Sequence, residues 1–157
     1  MRNNEKQQET LQAFTNHIDE GNAYILKNYT GNPDFVPPKE DQEKHKQQHI
    51  NCMTDMVFHN PLVFLQMTSA AEDAEPYRHE HDNEKKYPTL VMYTDKAKLE
   101  AEAFYKEVPF LEICHLLIDN PELLGIMVNP TEKMRYYLTK DTLEFFLNFE
   151  NVEFIGF

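Results

Sequence analysis

"TLVMYTDKAKLEAEAFYKEVPFLEICHLLIDNPELLGIMVNP", residues 89 to 130, is the stretch whose reading decides the fold. It opens and closes on compact apolar runs, Pro88 to Tyr93 and Leu124 to Val128, with segments of helical length between them. An apolar run without polar alternation is what a strand buried on both faces requires. Asn129-Pro130 ends the second run, because proline brings no amide hydrogen to a ladder. Between the runs, Thr94 and Asp95 offer side-chain oxygens to cap a helix expected over Lys96 to Phe104. Its inward face would come from Ala97, Leu99, Ala101, Ala103 and Phe104. Val108 to Ile118 predicts a further helix, with room for a short strand ahead of it. Short apolar runs alternating with amphipathic helices imply an α/β arrangement, a mixed or parallel sheet covered by helices.

Working outward, Leu62 to Met67 reads as the first strand, and Met134 to Leu138 as a strand in a hairpin with Leu124 to Val128. Asp141-Thr-Leu-Glu144 has capping-box spacing, and Leu143, Phe146 and Leu147 give the next helix its apolar face. The terminal residues 151 to 157 alternate like a strand. Upstream, Leu11, Phe14 and Ile18 recur at helical spacing from Glu5 to Glu20, and Gly21 stands where a C-terminal cap is expected. Ala23, Ile25, Leu26 and Tyr29 suggest a second short helix. Gly31 to Pro38 breaks regular structure, since its prolines and glycine suit neither helix nor ladder. Lys39 to Met56 is a polar helix anchored by Ile50, Cys52, Met53 and Met56. Ala70 to Lys86 is strongly charged, has little to bury and reads as an exposed connection. The expectation is one domain over residues 1–157: a mostly helical lead, 1–56, and a core, 57–157, of four or five strands covered by helices.

The succession of "LVMYTD" at 90–95, "FLEICHLLIDNPELLGIMVNP" at 110–130 and "YLTKDTLEFFL" at 137–147 resembles the N-terminal domain of the bacterial SseB, or enhanced serine sensitivity, family. The resemblance covers roughly residues 57 to 147. It implies an α/β fold and a bacterial cytosolic setting, and it transfers no catalytic residue.

The composition excludes several function classes. With 157 residues, 41% of them hydrophobic, the chain can bury one ordinary core. Lys and Arg total 15 against 27 Asp and Glu, a formal charge of −12. That balance opposes attachment to nucleic-acid phosphates or anionic lipid and suits a protein partner with a basic patch. The opening residues lack the apolar core of a signal peptide, and the longest apolar run, Leu123 to Val128, is far too short to span a bilayer. A cytoplasmic location is therefore expected. Cys52 and Cys114 are too far apart in sequence and too helical in context to suggest a disulfide scaffold. Glycine occurs only at 21, 31, 125 and 156, so neither a P-loop nor a dinucleotide fingerprint can be written. The only serine, Ser69, has no nucleophile elbow around it. Cys114 and His115, as helix neighbours, point about 100 degrees apart and form no dyad.

Five candidates remain. His45, His49 and Cys52 fall at i, i+4 and i+7 and would share a helix face as possible metal ligands, but Lys46 stands where a zincin needs Glu. The favoured account is a half-buried face with Cys52 and Met56 inside and the histidines at its edge. His79 and His81, with Glu80, Asp82 or Glu84, could supply nitrogen and oxygen ligands from an extended segment, yet nothing around them would hold the set rigid. The carboxylates Glu72, Asp73, Glu75, Glu80, Asp82 and Glu84 form the candidate partner surface. Asn129, at the carboxyl end of a buried strand, stands where ligands gather in open sheets, though capping its own turn explains it as well. Tyr136 and Tyr137, with Phe154 and Phe157, offer an aromatic patch, as core or as interface. The inventory points to a non-enzymatic binding protein without a cofactor, and to metal-dependent or small-molecule binding as the alternatives.

Overall fold

The computed structural model of the chain describes residues 2–80, 88–131 and 133–151, with residues 148–151 by backbone alone. Of the expected strand over 151–157, Asn151 instead ends a helix, and residues 152–157, with His81, Asp82 and Glu84, lie outside the described residues.

Helix α1 (Glu5–Tyr29) starts from a capping box. The Asn4 side-chain oxygen accepts from the Gln7 N–H at 2.8 Å, and the Gln7 side chain accepts from the Asn4 N–H at 2.9 Å. The helix does not stop at Gly21 but continues without interruption to Tyr29, replacing the expected cap and second helix. A glycine inside a helix costs only about 1 kcal/mol, which packing against a second helix outweighs. That second helix, α2 (Lys39–His59), lies against α1 after the expected break at Gly31 to Pro38. It ends at Asn60, which takes a left-handed conformation, φ 47°, and donates its N–H to the Met56 carbonyl.

The sheet joins β1 (Leu62–Met67), β2 (Arg78–His79), β3 (Thr89–Tyr93), β4 (Phe104–Pro109), β5 (Gly125–Val128) and β6 (Tyr136–Thr139). Its order is β4-β1-β3-β5-β6, with β2 also paired to β3. β3 and β5 run parallel at its centre, and the other pairs are antiparallel. Both central strands are buried along their whole length, as their unbroken apolar runs require. β5 and β6 form the expected hairpin and approach so closely that a Cβ on Gly125 would collide with the Leu138 carbonyl oxygen.

Two elements differ from expectation. Lys96 to Phe104 is not a helix: Asp95 accepts from the Ala97 N–H, a short 3₁₀ turn spans Lys96–Lys98, and Phe104 already begins β4. The apolar residues there recur at every second position and so build no continuous helical face, and β1 offers a full edge for β4 to pair with from Phe104 to Pro109. The connection after Ala70 is partly ordered onto the sheet. The Tyr77 N–H donates to the Gln66 carbonyl, and Arg78 and His79 lie opposite Leu90 and Thr89.

Helices α3 (Phe110–Asp119) and α4 (Lys140–Asn151) complete the helical layer. The cap of α4 is Thr139, not Asp141, since the Thr142 N–H donates to the Thr139 hydroxyl. A single apolar cluster gathers Phe14, Met53, Phe110 and Leu143 from the four helices with Val63, Leu90, Met92, Ile126 and Leu138 of the sheet. All four helices thus pack on one face. Among the described residues, Phe64, Tyr77, Leu99 and Tyr105 pack against the opposite face, Val91, Tyr93 and Met127.

Candidate functional site

On α1, positions 14, 17, 18 and 21 fall on one helical stripe, so His17 enters the interface with α2 beside Phe14 and Ile18. On α2, the four-residue spacing of His45 and His49 aims both rings at the same interface. The three imidazoles meet there. His17 and His45 stack with centroids 4.7 Å apart and planes 25° apart, and His17 Nε2 lies 3.3 Å from His49 Nδ1. Tyr136, the first residue of β6, brings its hydroxyl to 2.9 Å from the same His49 nitrogen. His17 is 4% exposed and His45 lies at the surface, so the stack runs from core to solvent.

Burial first, then the nearby imidazoles of His45 and His49, pushes His17 down to about 4, while the Gln48 side chain acts weakly in the opposite sense. Desolvation and His45 lower His49 as well. Burial holds the Tyr136 hydroxyl well above the usual phenol range. A phenol that keeps its proton is the natural donor to His49 Nδ1, which leaves that nitrogen an acceptor and makes the facing His17 Nε2 an N–H. His17 Nδ1 then carries a lone pair. No hydrogen bond of acceptable geometry reaches it, and it is the buried side-chain polar atom left without a partner among the described residues.

Outside this stack the α1–α2 interface opens into a cleft of about 460 Å³. Ile25, Tyr24 and Tyr29 of α1 and Pro37 of the connection give it a largely apolar wall, with Glu20, Asp41 and Lys44 among its charged groups. The Tyr24 hydroxyl donates to Asp41 Oδ2 at 2.8 Å and fixes that carboxylate. Tyr29 and Phe35 meet edge to face at 5.3 Å.

Cys52 does not join the histidines: its Sγ turns to the Ala13 carbonyl at 3.8 Å, and burial, with Asp55 and Glu20 nearby, raises its thiol. Met56 is buried below it, whereas Cys52 is only half-buried. Among the described residues, no group of three or more His, Cys, Asp or Glu side chains is placed to hold a metal ion. His79 is half-buried on β2, 6.4 Å between ring centroids from Tyr77, and Glu80 beside it is exposed. Glu72, Asp73 and Glu75 are exposed on the same connection, and Arg78 pairs outward with Glu122 at 2.7 Å.

Asn129 is structural, through partners that its sequence neighbours do not reveal. At φ 48° it sits in the left-handed region, accepts from the Thr94 N–H at 2.9 Å and donates to the Thr94 hydroxyl at 2.8 Å. The Thr94 hydroxyl lies 2.6 Å from that of Thr15, so this buried chain ties the ends of β3 and β5 to α1. Tyr136 is half-buried in the site and Tyr137 exposed. Phe154 and Phe157 lie outside the described residues. Cys114 is buried in the core while His115 points outward.

Sequence reasoning found His45 and His49 but missed His17. The available signal was its place on the Phe14–Ile18 stripe. The cleft itself depends on Tyr24, Tyr29 and Pro37 folding back together, which no local pattern announces. Among known proteins, no family model, no curated protein and no solved structure matches this chain. No helix among the described residues is long and apolar enough to cross a membrane.

Proposed function

We propose that this chain is a non-catalytic, cytosolic protein-binding module that docks a partner carrying a basic segment. The resemblance to the SseB N-terminal domain belongs to the same proposal. The observation that carries it is the construction of the helical hairpin: α1 has no buried residue beyond Ile18, and α2 has none before Met53. The outer half of this hairpin adds nothing to the core, yet holds Ile25 and Leu26 each 43% exposed, with Val36 74% exposed in the connection. Aliphatic side chains on ordered helices that serve no core are what a contact surface supplies. Exposed carboxylates at Glu72, Asp73, Glu75 and Glu80, and a formal charge of −12, set the sign of the partner.

The test is co-purification from native lysate by the full chain and by two variants. One carries E72Q, D73N, E75Q and E80Q, and the other I25S, L26S and V36S. All these positions except those in the apolar set are solvated carboxylates, and none of the seven is buried, so both variants should fold. The expected result is a partner recovered by the parent chain and depleted with each variant. An identical set of recovered proteins from all three would overturn the reading.

A further inference from the structure

The cleft between α1 and α2 can be assigned an occupant by its chemistry. Its wall is mostly apolar and aromatic, its carboxylates Glu20 and Asp41 outnumber its one ammonium, Lys44, and its inner end is lined by the imidazoles of His17 and His45. Resting on the reading of a basic partner, we propose that this cleft seats an arginine side chain of the partner's segment. The guanidinium would lie against the rings of Tyr24 and Tyr29 with its N–H groups turned to Glu20 and Asp41.

Three features favour arginine over other ligands. A guanidinium is planar, weakly hydrated and stacks on aromatic faces, which suits a wall of tyrosine and imidazole. The Asp41 carboxylate is already oriented by the Tyr24 hydroxyl on one oxygen, leaving the other to accept. His17, which lines the inner end, holds a buried Nδ1 without a partner among the described residues and adds acceptor character there. Anionic ligands are disfavoured by the two carboxylates. Lysine offers a point charge that this flat, ring-lined space would leave poorly matched.

The same groups imply a pH signature. His17 from α1, His45 from α2 and Tyr136 from β6 line the inner end, His49 lies behind Tyr136, and Glu20, Asp41 and Lys44 stand among the charged groups of the lining. Charging His17, which burial holds neutral down to about 4, would set a cation beside the guanidinium, so affinity should fall as the pH approaches that value.

The experiment titrates the full chain with N-acetyl-arginine amide, with the neutral isostere N-acetyl-citrulline amide, and with a short arginine-containing basic peptide, followed by heteronuclear NMR. The expected result is that the arginine amide shifts resonances of Tyr24, Tyr29 and His45. The citrulline amide and the E20Q/D41N variant should each bind about tenfold more weakly. Binding of the peptide but not the arginine amide still supports the cleft if the shifts map to it and vanish in E20Q/D41N. Equal binding of citrulline, an unchanged E20Q/D41N affinity, or shifts confined to other surfaces would overturn the assignment. Because both acids are exposed, that variant keeps the fold, which its thermal unfolding midpoint checks. If E20Q/D41N recovers the partner undiminished while the Glu72 to Glu80 variant loses it, the cleft assignment fails and the protein-binding reading stands.

Discussion

His17 is the residue on which the chemistry of the helical pair turns. Neutral in the folded chain down to about 4, against an ordinary 6.5, it binds its proton more weakly folded than unfolded. Its contribution to stability is therefore complete above pH 6.5 and is lost as the pH falls toward 4, because the unfolded chain takes up the proton first. The loss expected across that window is on the order of 3 kcal/mol, with His49 adding in the same direction. Urea unfolding at a series of pH values should show this slope, and His17→Leu should flatten most of it; equal slopes would contradict the assignment. Two glycines give opposite expectations. Gly21→Ala should stabilise by about 0.5–1 kcal/mol, since the helix runs straight through and the new methyl would meet His45 Cε1 at an ordinary 3.5 Å. Gly125→Ala should cost about 3 kcal/mol by forcing β5 and β6 apart at the Leu138 carbonyl. Asn129→Ala should cost about 2 kcal/mol, because it strands the buried Thr94 N–H. Denaturation midpoints decide all three.

At the scale of elements, the strands Leu62–Met67, Thr89–Tyr93 and Gly125–Val128 were legible because their apolar runs are forced by burial, the last two on both faces. The segment from Lys96 to Phe104 was not. Its alanines satisfy helix propensity, but its apolar residues recur at every second position and build no helical face, and pairing of β4 with β1 claims the chain from Phe104 onward. Gly21 misleads for a related reason: a local stop signal yields to a helix partner supplied by residues 39–59. The site was half legible. His45 and His49 announce themselves by spacing, but their third ring and Tyr136 arrive from other elements, 32 and 87 positions from His49. Hydrogen exchange tests the division within the hairpin. Amides from Asp19 to Tyr29, on the part of α1 without buried side chains, should exchange markedly faster than those of β3 and β5, whose residues are wholly buried. Uniform protection along α1 to Tyr29 would mean that the outer hairpin is held by contacts beyond those described.

At the scale of the molecule, a mixed sheet carries all four described helices on one face, and the first two extend beyond that layer in outer portions without buried residues. On the proposed reading, the long hairpin, the cleft between its helices and the excess of carboxylates would together form a surface for contact with a cationic partner. Such contact is electrostatically steered, so it should weaken with salt in proportion to the charges brought together. The most direct measurement is the affinity of the chain for its purified partner at rising ionic strength. The account predicts a fall of about tenfold or more between about 50 and about 200 mM salt, reduced in the variant carrying E72Q, D73N, E75Q and E80Q. An affinity that stays constant across this range, or falls equally in parent and variant, would contradict it.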